Sequence, residues 1–103
     1  MLNLVHLADL VIANGGTDSN YVEVDAVNDL CIFAPATLTG TINVQVSPDA
    51  SNWFDLKSGG SNVAVAASAA VVITNGGFKY LRVHSGSAEG AARTFNASMQ
   101  ERT

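Results

Sequence analysis

Thr41-Ile-Asn-Val-Gln-Val46 alternates strictly, with Ile42, Val44 and Val46 on one side and Thr41, Asn43 and Gln45 on the other. A period of two marks a strand with one buried face, because successive side chains leave a pleated backbone on opposite sides. Pro48-Asp49 breaks the run, and Trp53 to Lys57 would run back beside it, returning Phe54 and Leu56 to the core. The same rhythm recurs along the chain. Tyr21 to Asp25 puts Val22 and Val24 together, Phe78 to His84 turns Leu81 and Val83 inward, and Arg93 to Gln100 lines up Phe95, Ala97 and Met99. Leu30 to Ala34 is almost continuously apolar, the pattern of a strand covered on both faces, and Pro35 ends it. Two shorter apolar pieces, Val63 to Ala66 and Val71 to Thr74, are joined by small residues.

Between these runs stand Gly59-Gly60 and Asn75-Gly76-Gly77, residues that accept positive φ at little cost. Seven or eight strands at regular spacing predict an all-β protein, an antiparallel β-sandwich or jelly-roll-like barrel, forming one domain over residues 1–103. Residues 1–14 are predicted as an extended first strand or an N-terminal arm, closed by Asn14-Gly15-Gly16.

Charge bears on what such a domain can do. Charged residues make up 14% of the chain, against roughly 25% in an ordinary soluble domain. A small domain has much surface for its volume, so a surface this poor in charge suits a protein that is partly covered in an assembly; on composition alone a soluble monomer with a neutral polar coat is an equal alternative. Only five basic residues are present, Lys57, Lys79, Arg82, Arg93 and Arg102, and they form no stripe that could neutralise phosphates. Nucleic acid is therefore not an expected partner. The longest apolar run, Val63 to Ile73, is interrupted by Ser68 and falls short of the roughly 20 residues that cross a bilayer, so no membrane association is expected.

Catalysis needs convergent titratable groups, and His6 and His84 are the only histidines. Neither sits beside a nucleophile motif, and no His/Cys cluster has zinc spacing. Asp18, Glu23, Asp25 and Asp29 lack the tight loop spacing of a calcium site and read as a solvated strand edge. Cys31, between Leu30 and Ile32, reads as a small buried apolar residue. No catalytic residue, metal or cofactor is expected. Trp53, Tyr21 and Tyr80 raise a different possibility, since sugar-binding sandwiches stack pyranose rings on exposed aromatics; a lone Trp packed over one end of the core is the competing reading.

The run GTINVQVSPDASNWFDLKSGG, followed by a short apolar strand and then FKYLRV, resembles small β-sandwich structural proteins of tailed bacteriophages. In these a V-x-V-S-x-D-G-x-x-W-x-x-L hairpin precedes a Gly-Gly turn and a Y-L-R-V strand, and among them are capsid decoration, or cement, proteins. The match spans somewhat under half the chain. It departs at Ala50, where the pattern usually has glycine, so Asp49 must set the turn through its own side chain. The resemblance implies a non-enzymatic virion protein on the capsid exterior, made in the bacterial cytoplasm, with the major capsid protein and further copies of itself (a dimer or trimer) as partners. Leu2, Leu4, Val5 and Leu7 in the N-terminal segment, and Ala64, Ala66 and Ala70 in the small-residue stretch, are the candidate contact residues. The alternative is a carbohydrate- or receptor-binding module of a phage tail or fibre, working through Trp53 with Tyr21 or Tyr80.

Overall fold

A computed structural model describes residues 2–24, 29–74 and 77–102; for residues 2–5 and 100–102 it describes the backbone. Asp25 and the Asn75-Gly76 part of the predicted turn lie outside the described residues. The strands are β1 (Leu2–Ile12), β2 (Val22–Glu23), β3 (Asp29–Phe33), β4 (Ile42–Ser47), β5 (Phe54–Asp55), β6 (Lys57–Ser58), β7 (Ser61–Asn62), β8 (Ala64–Val65), β9 (Ala70–Thr74), β10 (Tyr80–Ser85) and β11 (Arg93–Arg102). The first sheet has the order β1-β11-β3-β9 and the second β2-β10-β4-β5, with β8 also on β4.

This is one long antiparallel hairpin rolled into two layers. β1 pairs β11, β2 pairs β10, β3 pairs β9 and β4 pairs β8, and the roll is closed by β11 on β3 and β10 on β4. The chain changes sheet at most connections, the pathway of a jelly roll, which leaves few open edges. The all-β fold follows the sequence, while the strand count differs. Among the described residues eleven strands appear, because Lys57 to Val65 breaks into three two-residue pieces. Gly59 and Gly60 both have positive φ (61° and 86°), which lets β6 turn tightly into β7. A side chain at either place would be strained.

The core lies between the sheets. Leu10, Ile12, Leu30, Ile32, Ile73, Phe95 and Ala97 from the first meet Ile42, Val44, Leu81 and Val83 from the second. Alternation therefore located the inward faces of β4, β10 and β11 correctly. Two expectations fail. β3 is covered on one side only: Leu30 and Ile32 are buried, but Cys31 is half-buried and Phe33 is 43% exposed. Its apolar run reflects an uncovered outer face, not a second layer of protein. Phe54, expected to return to the core, is 59% exposed, because β5 is an edge strand. Leu56 beyond it does pack against the core.

The segment predicted as strand or arm is a strand, spent on this chain's own sheet along all of its length, with a bulge between His6 and Ala8. Leu7, at that bulge, packs on the core. The outer edge of β1 is partly closed by Asn20, whose Oδ1 accepts from the Val11 N–H at 2.7 Å and whose Nδ2 donates to the Asp9 carbonyl at 3.0 Å. The carboxamide thus stands where a peptide of an added strand would, and blunts that edge.

The turn after β4 is built as its sequence suggested. Asp49 Oδ1 accepts from the Ser51 and Asn52 N–H groups at 2.9 Å each, and Asn52 Nδ2 donates to Oδ2 at 2.9 Å. Those donors to the ionised carboxylate hold its pKa well below the usual range. Ser47 adds what the sequence did not reveal: its hydroxyl accepts from the Asp49 and Ala50 N–H groups. Ala50 is left with a φ of 64°, the left-handed region. A non-glycine residue there costs about 1–2 kcal/mol, partly offset by the extra freedom glycine has when unfolded. Ala50→Gly is expected to stabilise the protein by about 0.5–1 kcal/mol, read as a higher urea midpoint at unchanged slope. A lowered midpoint would contradict this account of the turn.

Candidate functional site

The outer face of the second sheet gathers the aromatic residues. Tyr21 comes from the segment leading into β2, Trp53 from the residue before β5 and Tyr80 from the start of β10. Three separate elements meet because β10 lies between β2 and β4, and residues 17–19 extend the pairing along β10. The Ser19 N–H donates to the Val83 carbonyl at 3.0 Å and the Ser85 N–H to the Thr17 carbonyl at 2.7 Å. The Tyr21 and Trp53 ring centroids are 5.7 Å apart at 49°, and Tyr21 meets Tyr80 edge-on at 5.4 Å. These are ordinary favourable aromatic geometries. The Arg82 guanidinium lies over Trp53 at 4.3 Å, and Lys79 Nζ lies 5.6 Å from the Tyr80 ring centre. Tyr21 stays 52% exposed.

A row of polar side chains continues from the rings. Arg82 Nε donates to Gln45 Oε1 at 2.9 Å, and Gln45 Nε2 donates to Asp55 Oδ1 at 3.1 Å. Arg82 also pairs with Asp18 at 3.6 Å, and Asp18 in turn contacts His84 Nδ1. The alternation of β10 had placed Tyr80, Arg82 and His84 on one face, but nothing in the sequence paired them with Gln45 or Asp18. Among the described residues no group of three or more His, Cys, Asp or Glu side chains could hold a metal ion. Glu89 is a buried carboxylate outside this row, accepting from the Thr39 and Gly40 amides, the Ser85 hydroxyl and Arg93 Nε.

A second surface lies on the outside of the first sheet. Phe33 is paired with Ala70 and Cys31 with Val72, so these four residues share one outward face. Val72 is 71% exposed. Met99, Ser98, Thr74 and, at its margin, the carboxylate Asp29 join Cys31 and Val72 around a shallow cavity of about 280 Å³. The edge strand β9 and the loops flanking it are devoid of charge: nothing between Lys57 and Lys79 is Asp, Glu, Lys or Arg. Of the candidate contact residues, Ala64, Ala66 and Ala70 are exposed, Ala70 beside Phe33; Leu2, Leu4 and Val5 are placed by backbone only, in β1.

The fold is shared with a prophage protein. The structure of the SPBc2 prophage-derived protein YomS superposes with a TM-score of 0.70 over 98% of this chain and 96% of that one, at 8% identity. A plant cysteine peptidase, Peruvianin-I from Thevetia peruviana latex, matches at a TM-score of 0.50 and 12% identity, this chain covering 60% of it. A chitosan-binding module of a chitosanase/glucanase from Paenibacillus sp. IK-5 gives 0.47 at 18% identity, over 94% of this chain and 92% of the module. No family model matches the sequence, and no curated protein matches it at the sequence level. At 8% and 12% identity the first two likenesses speak for a shared fold and nothing beyond it.

Proposed function

We propose that this chain is a non-enzymatic structural protein of a tailed-bacteriophage particle, a decoration protein that binds between major capsid subunits on the outside of the head and meets further copies of itself there. The observation that carries this reading is the uncovered apolar face of the first sheet, with Phe33, Ala70 and Val72 outward and no charge from residue 58 to 78. Charge is depleted where an interface is fully buried. Burying a Phe or Val side chain contributes about 1.5–3 kcal/mol, and many copies on one lattice multiply a modest contact. The hairpin at residues 40–60 and the architecture shared with a prophage-derived protein support the same reading. The capsid would be held by area and repetition.

The test is cosedimentation with heads of the phage that carries this gene, stripped of the protein. Wild type is expected to bind saturably and raise the temperature at which the heads release DNA. The double variant Phe33→Asp, Val72→Asp is expected to lose binding by more than about a hundredfold, since each buried charge costs several kcal/mol, with its own melting temperature little changed. No binding by wild type, or equal binding by the variant, would remove the proposal.

A further inference from the structure

The opposite face of the roll carries a feature that lattice binding leaves unused. Tyr21, Trp53 and Tyr80 form their cluster on the solvent side of the second sheet, outside the core. An exposed Tyr held by two other aromatics is a preformed platform. Beside it runs the side-chain row Asp55, Gln45, Arg82, Asp18 and His84, in which hydrogen-bond donors and acceptors alternate across β5, β4 and β10. We infer that this face is a binding site for an uncharged saccharide, with one pyranose ring stacked on the exposed Tyr21 and its edge against Trp53, and its hydroxyls directed at Gln45, Asp55 and Asp18.

Each part of that ligand's chemistry meets a matching group. The C–H face of a pyranose is apolar and flat enough to lie on an aromatic ring, while hydroxyls both donate and accept. Gln45 can do both, and Asp55 and Asp18 accept. Mutual contacts hold the site in place before any ligand arrives: Arg82 over one face of Trp53, Tyr21 against both other rings, and Gln45 between Arg82 and Asp55. Little side-chain ordering remains to oppose binding. Charge selects against acidic sugars. Arg82 is met by Asp18, Glu23 stands opposite Tyr80 in the β2–β10 register, and Asp55 borders the row. A carboxylated or phosphorylated glycan would meet three carboxylates against two cations, Arg82, already paired with Asp18, and Lys79, beside the Tyr80 ring.

Trp53 is the chain's only tryptophan, so its emission reports on this face alone. The intact protein would be titrated with uncharged oligosaccharides of glucose, galactose, mannose and N-acetylglucosamine, with oligogalacturonate as the anionic arm and oligoglucosamine as the cationic one. At least one uncharged sugar is expected to shift the emission saturably at or below millimolar concentration, the weak end of specific binding. Tyr21→Ala is expected to weaken it at least tenfold with the melting temperature retained, and Tyr21→Phe to keep it within about twofold. Phe33→Asp, Val72→Asp on the other sheet should bind the sugar as wild type does, so a failed capsid experiment leaves this result readable. Silence from every uncharged sugar, a response to the charged arms alone, or full binding by Tyr21→Ala would each overturn the inference.

Discussion

Replacing Glu89 by Gln is expected to lower the unfolding free energy by about 3–5 kcal/mol, the cost of breaking a buried, fully partnered charge. Glu89 is 1% exposed and accepts four hydrogen bonds. Oε1 takes the Thr39 N–H at 2.8 Å and Arg93 Nε at 2.9 Å; Oε2 takes the Gly40 N–H at 2.9 Å and the Ser85 hydroxyl at 2.6 Å. A carboxamide would aim its own N–H₂ at two of these donors and leave the half-buried Arg93 short of a counter-charge. Gly40 approaches so closely that an added Cβ would sit 2.8 Å from the Ser87 nitrogen, so only glycine lets its amide reach the carboxylate in this packing. In a domain of this size about 1 kcal/mol moves the melting temperature by about 4–8 °C, so a loss of 15 °C or more is the expected reading. Loss of less than about 1 kcal/mol would show that the four contacts are not made together.

The same residue sets part of the pH dependence. Burial alone would raise its pKa, but Ser85, the Thr39 and Gly40 amides and Arg93 outweigh it and hold the carboxyl down to about 2, from an ordinary 4.5. A carboxylate whose pKa is lower in the folded than the unfolded state stabilises above the unfolded value, and that contribution fades as pH falls from 4.5 towards 2. Wild type should therefore lose stability faster than Glu89→Gln across that window, and the gap between them should narrow with acid.

Glu89 was not legible in the sequence, for a physical reason. It sits in the turn-forming stretch Gly86 to Gly90, where no periodicity operates, and its amide partners lie 50 and 49 residues away. The one available signal was a lone acidic residue in an uncharged stretch with Arg93 four positions on. The inward residues of β4, β10 and β11 were legible because a two-residue period reports which side a side chain takes. It does not report whether the facing sheet reaches that far, which is why Phe54 was placed in the core and Phe33 under a second layer. For the aromatic face, the candidates Tyr21, Trp53 and Tyr80 could be read from their residue type. Their meeting depends on the roll bringing β2, β10 and β5 to one side, and the pairing of Arg82 with Gln45 depends on cross-strand register. Both are tertiary facts.

Phe95 and Phe33 put that distinction to measurement, since both lie in the first sheet and point in opposite directions. Phe95 is 0% exposed, stands opposite Leu10 in the β1–β11 register, and is the largest of the fully buried side chains. β11 runs between β1 and β3, so the ring has neighbours on both sides in its own sheet and faces the second sheet above. Phe95→Ala removes that ring from a place the flanking strands cannot collapse into, and is expected to cost about 3–5 kcal/mol. Against a total of about 5–15 kcal/mol for a small domain, that is a large share of the stability. Phe33→Ala, on the outward face, is expected to change stability by about 0.5 kcal/mol or less while weakening attachment to the capsid. Urea midpoints give the first comparison and cosedimentation the second. If both variants lost stability equally, the outer face of the first sheet would be core, and the lattice-binding surface proposed for it would have to lie elsewhere.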